Sequence, residues 1–143
     1  MVPTLKRLPR NPKGVVAFEV NEYADAFMFD LRSSGIRFPR SDAVNEYLLR
    51  IRGDKILDTA ELMISDRVER LAYVTQVCYF KSKVILCRIY LDPTNHEFVK
   101  YILFVTLNRG LARVLSEYLE RLGWKRILLF DIARKREFSI TRY

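Results

Sequence analysis

Between Tyr73 and Thr106 the chain carries three β-rich runs joined by links too short to hold a helix. That feature constrains its fold more than any other. The runs are Y-V-T-Q-V-C-Y-F, V-I-L-C-R-I-Y-L and F-V-K-Y-I-L-F-V-T, separated by K-S-K and D-P-T-N-H-E. Such links allow only direct, antiparallel returns, so Tyr73–Phe80 and Val84–Leu91 are expected to form a hairpin over K-S-K. Phe98–Thr106 is apolar at consecutive positions and reads as a central strand covered on both faces. Asn108 can then cap an amphipathic helix with Leu111, Val114, Leu115, Tyr118, Leu119 and Leu122 on one face, closed by Gly123. K-R-I-L-L-F-D-I reads as a further buried strand, and F-S-I-T-R-Y as a last one beyond the basic link A-R-K-R-E.

Upstream the pattern changes. Residues 1–14 hold Lys6, Arg7, Arg10 and Lys13, no acidic residue, and prolines at 3, 9 and 12, which favour an extended basic arm. Val15 to Val20 is a short β-type run. Asn21 offers an N-cap to a helix with Ala24, Phe27, Met28 and Leu31 on one face, ending at Gly35. Ser41 or Asp42 caps a second helix bearing Val44, Tyr47, Leu48 and Ile51, ended by Gly53, and a less regular third helix covers Thr59 to Leu71. The expected class is therefore α/β in the α+β sense. A basic arm (1–14) and a small helical N-terminal lobe (15–71) precede a C-terminal lobe (72–143) with a mixed sheet in βββαββ order.

Half of the 143 residues are hydrophobic, enough for a core. No apolar run reaches membrane-spanning length and no signal-peptide pattern opens the chain, so a cytoplasmic protein without a membrane partner is expected. Cys78 and Cys87 fall inside strands and read as core thiols. The net charge of +8 bears on partners, and nucleic acid is the class that charge favours.

Chemistry is bounded by what is missing. A single histidine excludes histidine-rich metal sites, and no phosphate-loop, dinucleotide, nucleophile-elbow, EF-hand or zinc spacing occurs. The order of elements also fits the nuclease core of many restriction enzymes. Metal-dependent members need E-x-K on the third strand, whereas Glu97 and Lys100 stand one residue too far apart and would face opposite ways. No cofactor or metal is expected. Metal-free RNA cleavage needs a base, an acid and a cation on the phosphorane. Tyr90 at a strand end, His96 in the next link and Lys125 at the following strand start are the candidates. Tyr90 serves as base only if nearby cations lower its pKa. The structural alternative is a strand aromatic, a solvated loop histidine and an edge lysine.

These positions are where the chain resembles the archaeal tRNA-splicing endonuclease family. S-D-A-V-N-E-Y-L-L-R-I-R-G-D-K-I, from Ser41 to Ile56, is similar to that family's N-terminal helix and following G-K-L. L-C-R-I-Y looks like the strand ending F-R-V-Y, N-H-E-F-V-K-Y-I-L-F-V like the loop histidine and its strand, and W-K-R-I-L-L-F like the strand opening with K-R. The resemblance implies a restriction-endonuclease-like, tRNA-endonuclease-like fold, with Tyr90 as general base, His96 as general acid and Lys125 as the cation. It implies 2′,3′-cyclic phosphate products and assembly, as a homo- or hetero-oligomer, through the C-terminal strand. The family's G-F-K-F-G is C-Y-F-K-S-K here, and the histidine stands two residues further from its strand, which points to a structural rather than a catalytic subunit. RNA backbone contacts are then expected from Lys6, Arg7, Arg10, Lys81, Lys83, Arg88, Arg134, Lys135 and Arg136. The alternatives are a non-catalytic, basic protein binding single-stranded DNA or RNA, and an assembly protein whose charge only solvates it.

Overall fold

The computed structural model describes residues 12–39 and 54–133. The expected helix from Ser41 to Gly53, the arm residues Lys6, Arg7 and Arg10, the basic link Arg134, Lys135 and Arg136, and the last strand lie outside the described residues. Six strands form one sheet: β1 (Gly14–Tyr23), β2 (Ile36–Arg37), β3 (Ala72–Phe80), β4 (Lys83–Asp92), β5 (Asn95–Thr106) and β6 (Lys125–Asp131). Their lateral order is β2-β3-β4-β5-β1-β6. Every described pairing is antiparallel, where the sequence reading expected a mixed sheet. Hairpin links make β3, β4 and β5 antiparallel neighbours. β1, which the sequence groups with the N-terminal helices, instead inserts between β5 and β6 and pairs with both.

Both faces of the sheet are covered. Alternation along the strands decides which residues look each way. On one face Val16 and Phe18 of β1, Cys78 and Phe80 of β3, Ile85 and Cys87 of β4, and Ile102 and Phe104 of β5 pack under two helices. These are α1 (Ala24–Ser33), through Phe27 and Leu31, and α4 (Leu111–Glu120), through Leu111, Ala112, Leu115 and Leu119. On the other face Val15, Ala17, Val77, Leu86, Leu103 and Val105 meet a helical stretch. It consists of α2 (54–61), a 3₁₀ turn (Leu62–Ile64) and α3 (Ser65–Val68), and it buries Ile56, Leu57, Ala60, Ile64 and Val68. β5 lies between β4 and β1 with Ile102 to Val105 all buried, as its unbroken apolar run requires. β6, expected to be buried, is an outer strand among the described residues, with Lys125 and Arg126 exposed.

Two local expectations change. Asn21 does not cap α1: it lies within β1 at φ 53°, inside a register irregularity between Glu19 and Glu22, and its Nδ2 donates to Glu19 Oε2 at 2.8 Å. Asparagine tolerates that left-handed backbone, which a bulge there uses. Asn108 is not the side-chain cap of α4 either. The buried Asp131 carboxylate, 18 and 21 residues away, accepts from Gly110 N at 3.3 Å and Arg113 N at 3.2 Å. A carboxylate there answers the unpaired amides and the positive end of the helix. Cys78 and Cys87 are buried free thiols on one face of the sheet, diagonal neighbours across the β3–β4 hairpin with their side chains in hydrogen-bond contact.

Gly14 opens β1 directly beneath α4. A Cβ there would stand 2.5 Å from Ala112 Cβ and 2.6 Å from Thr106 Oγ1. Gly14→Ala is therefore expected to cost about 1–3 kcal/mol, seen as a lower urea midpoint with an unchanged slope. A midpoint equal to the wild type's would mean that β1 and α4 do not pack as described.

Candidate nucleic-acid interface

The strand registers place the three residues of the candidate acid–base set. Tyr90 pairs with Tyr101, Tyr101 with Glu19, and Glu19 with Lys125, so Tyr90 and Lys125 occupy one transverse row of the sheet. Three strand spacings separate them, about 14 Å. His96 stands five residues along β5 from Tyr101, about 17 Å away. The three are not brought together. His96, expected in the link, is instead the exposed second residue of β5, just beyond the turn where the Asp92 carboxylate accepts from Thr94 N and Thr94 Oγ1, both at 2.8 Å.

Tyr90 is fully buried and donates its hydroxyl to Glu61 Oε1 at 2.5 Å. Burial pushes the phenol's pKa far above its ordinary value, and the bond to Glu61 and that carboxylate's charge push it further, outweighing the opposing effect of Arg88. A base of the kind proposed for RNA cleavage needs the reverse shift.

Arg88 shares this buried network. Its expected role as a backbone contact is corrected by its position: it lies on β4, near the middle of the sheet, 1% exposed beneath the helical stretch. Asp54, Asp58 and Glu61 are spaced i, i+4 and i+7, which puts all three on one face of a helix. Arg88 Nη1 lies 2.9 Å from Asp58 Oδ1 and 3.0 Å from Glu61 Oε1, and Nη2 lies 3.8 Å from Asp54 Oδ1. Its guanidinium also sits 4.2 Å from the centre of the Tyr73 ring. Burial opposes the charge, and the Asp58 and Glu61 carboxylates more than restore it. This cation is committed inside the fold.

A group of cations with no carboxylate partner among the described residues lies at another place, the corner where β2 meets the β3–β4 turn. Lys81 and Ser82 form that turn at φ 53° and 63°, the left-handed pair that a two-residue hairpin turn demands. The turn aims Lys81 toward the end of α4, with Nζ 4.8 Å from the Tyr118 ring centre and 5.7 Å from that of Phe80. The Arg121 guanidinium approaches the same Tyr118 ring at 5.2 Å. Lys81 first, then Arg121, lowers the pKa of the Tyr118 phenol. On the other side of the turn the Arg37 guanidinium lies 5.9 Å from the Tyr79 ring, over a groove of about 920 Å³ lined by Arg32, Phe38 and Ser82 among others. Among the described residues, Arg32, Arg37, Lys81 and Arg121 make no ion pair with a carboxylate, in contrast to Arg88, Arg113 and Arg126. Cations laid on aromatic rings with no counter-ion suit a polyanion whose bases can also stack.

The expected contact residues Lys81 and Lys83 are exposed at this corner. Arg32, Arg37, Tyr79, Tyr118 and Arg121 were missed because they come from four elements far apart in the sequence, α1, β2, β3 and the end of α4. The run R-F-P-R, beginning at Arg37, was the one local signal. No helix among the described residues is long and apolar enough to cross a membrane. No protein-family model, curated protein or solved structure matches the chain.

The Tyr90 shift has a consequence for stability. A phenol whose folded pKa is raised stabilises the fold fully below the unfolded value, about pH 10, and loses that contribution as pH rises through the folded value. Stability against urea is therefore expected to fall above about pH 10 in the wild type. In Tyr90→Phe the decline should be shallower, from a starting stability about 1–2 kcal/mol lower. An equally steep decline in the variant would assign the alkaline loss to other groups.

Proposed function

We propose that this chain binds nucleic acid without cutting it, gripping a sugar–phosphate backbone at the corner formed by β2, the β3–β4 turn and the end of α4. The observation that carries this reading is the set Arg37, Lys81 and Arg121, held against Tyr79 and Tyr118 with no carboxylate partner among the described residues. Phosphates would displace the counter-ions of these side chains, and bases would meet the neighbouring rings and groove. The narrower form of the proposal is an RNA-holding subunit of an assembly like the tRNA-splicing endonucleases. The sequence likeness supports that form, and the separation of Tyr90, His96 and Lys125 supports holding rather than cleavage.

Fluorescence anisotropy with labelled single-stranded and folded RNA over a salt series tests the proposal. The affinity should fall steeply with salt. Replacing Arg37, Lys81 and Arg121 together with glutamine should flatten the log–log slope by about 2, near 0.7 for each lost phosphate contact on a single strand. Lys55→Gln, on the exposed side of α2, should leave the slope unchanged. Absence of binding at moderate salt would overturn the reading, and equal loss in the Lys55 variant would overturn the location. Incubation with an intron-containing precursor tRNA and a catalytic partner subunit tests the narrower form. Failure of this chain to raise that partner's cleavage would remove it.

A further inference from the structure

We propose that the nucleic acid held at this corner is a single strand, whose backbone crosses the Lys81–Ser82 turn from one face of the sheet to the other. The inference rests on the preceding reading, that the corner binds nucleic acid, and adds which form of it. Successive side chains of a strand point to opposite sides of the sheet. Phe80 packs on the face covered by α1 and α4, as does Ile36, its partner on β2. Tyr79 and Arg37, the neighbouring pair of that ladder, therefore look the other way, to the side where Val77 and Val84 pack. There the Arg37 guanidinium lies 5.9 Å from the centre of the Tyr79 ring. Lys81 and Arg121 are laid on Tyr118, whose ring meets that of Phe80 edge-on at 5.2 Å, on the first side. The two sets of cations thus occupy opposite faces.

The turn joins them. Ser82 lines the groove together with Arg37 and Tyr79, while its neighbour Lys81 is held over Tyr118. Arg32, in the last turn of α1, lines the same groove and carries it toward the face that α1 covers. A cationic track with aromatic rings along it therefore bends over the rim of the sheet. No carboxylate among the described residues pairs with Arg37, Lys81 or Arg121 on the way.

That curvature selects the ligand. Side chains packed on opposite faces of a sheet are separated by on the order of 10 Å. A stacked strand advances about 3.4 Å per nucleotide, so about three nucleotides span the turn. A single strand bends that sharply without difficulty. A duplex, with a persistence length of about 150 base pairs, does not, and would meet the cations of one face only. Pairing would also hide the bases, which a single strand leaves free to stack on the rings and in the groove.

Fluorescence anisotropy tests the inference with labelled uridine oligonucleotides of about two to eight nucleotides, and with a blunt RNA duplex of about twelve base pairs beside its separate strands. Engaging both faces makes the second contact intramolecular, so affinity should step up at least about tenfold between two and six nucleotides. The duplex should bind at least about tenfold more weakly than its strands at equal salt. Arg37→Gln and Lys81→Gln, one on each face, should each abolish the step, since either loss leaves a single contact. A duplex that binds as tightly as its strands would overturn the inference, as would an affinity that climbs evenly with length in the wild type. Either result, with binding still lost when Arg37, Lys81 and Arg121 are replaced together, leaves the corner as a nucleic-acid site of another kind. Absence of binding to every probe removes both readings.

Discussion

Coverage of the sheet on both faces is the constraint on which the rest of this structure depends. With α1 and α4 on one side and the stretch from α2 to α3 on the other, successive residues of β5 have no solvent to face. Charge is then tolerated inside only where counter-charge comes with it. Arg88 illustrates the rule: it is carried on a central strand, and the covering helix brings Asp54, Asp58 and Glu61 at one-face spacing to meet it. Tyr90 joins by donating to the same Glu61, which fixes the end of α2 over β4. Such a network is a weak source of net stability, but loss of one partner leaves a charge stranded.

The same constraint determines where function can reside. Side chains in the sheet's interior are used up by packing, so free cations collect where the layers end. The corner at β2 is such a place, because β2 is only two residues long and the β3–β4 turn extends past it. Aromatic rings there serve two environments at once. Phe80 is buried while its ring meets that of Tyr118 edge-on, and Tyr118 is only partly buried under Lys81 and Arg121. Aromatic side chains placed this way pass from core to surface without a break, which holds the cations in defined positions instead of leaving them on free stems.

The strained turn contributes to that definition. A two-residue hairpin link ordinarily takes glycine or asparagine, whereas this one takes Lys81 and Ser82 in left-handed conformations. A lysine at that position gives up conformational ease and gains a fixed direction over Tyr118. Strain of this kind is ordinarily found where a side chain must be aimed, and at Lys81 and Ser82 it lies beside the groove.

Much of the fold was legible in the chain itself. The β-rich runs of β1, β3 and β4, the doubly apolar run of β5, the one-sided helix closed by Gly123 and the hairpin over K-S-K are all local patterns, set by backbone geometry within a few residues. Lateral order and register were not legible, because they depend on pairings between residues far apart. The sequence alone therefore set Tyr90, His96 and Lys125 at element ends without setting their separations, and it showed Arg88 as one more cation in a basic protein. Only the tertiary structure placed β1 between β5 and β6, capped α4 with a carboxylate from β6, buried Arg88 among three acids and gathered Arg37, Lys81 and Arg121 at one corner. Local spacing fixes which way a side chain points, whereas its neighbours are chosen by how distant segments bury their apolar faces together.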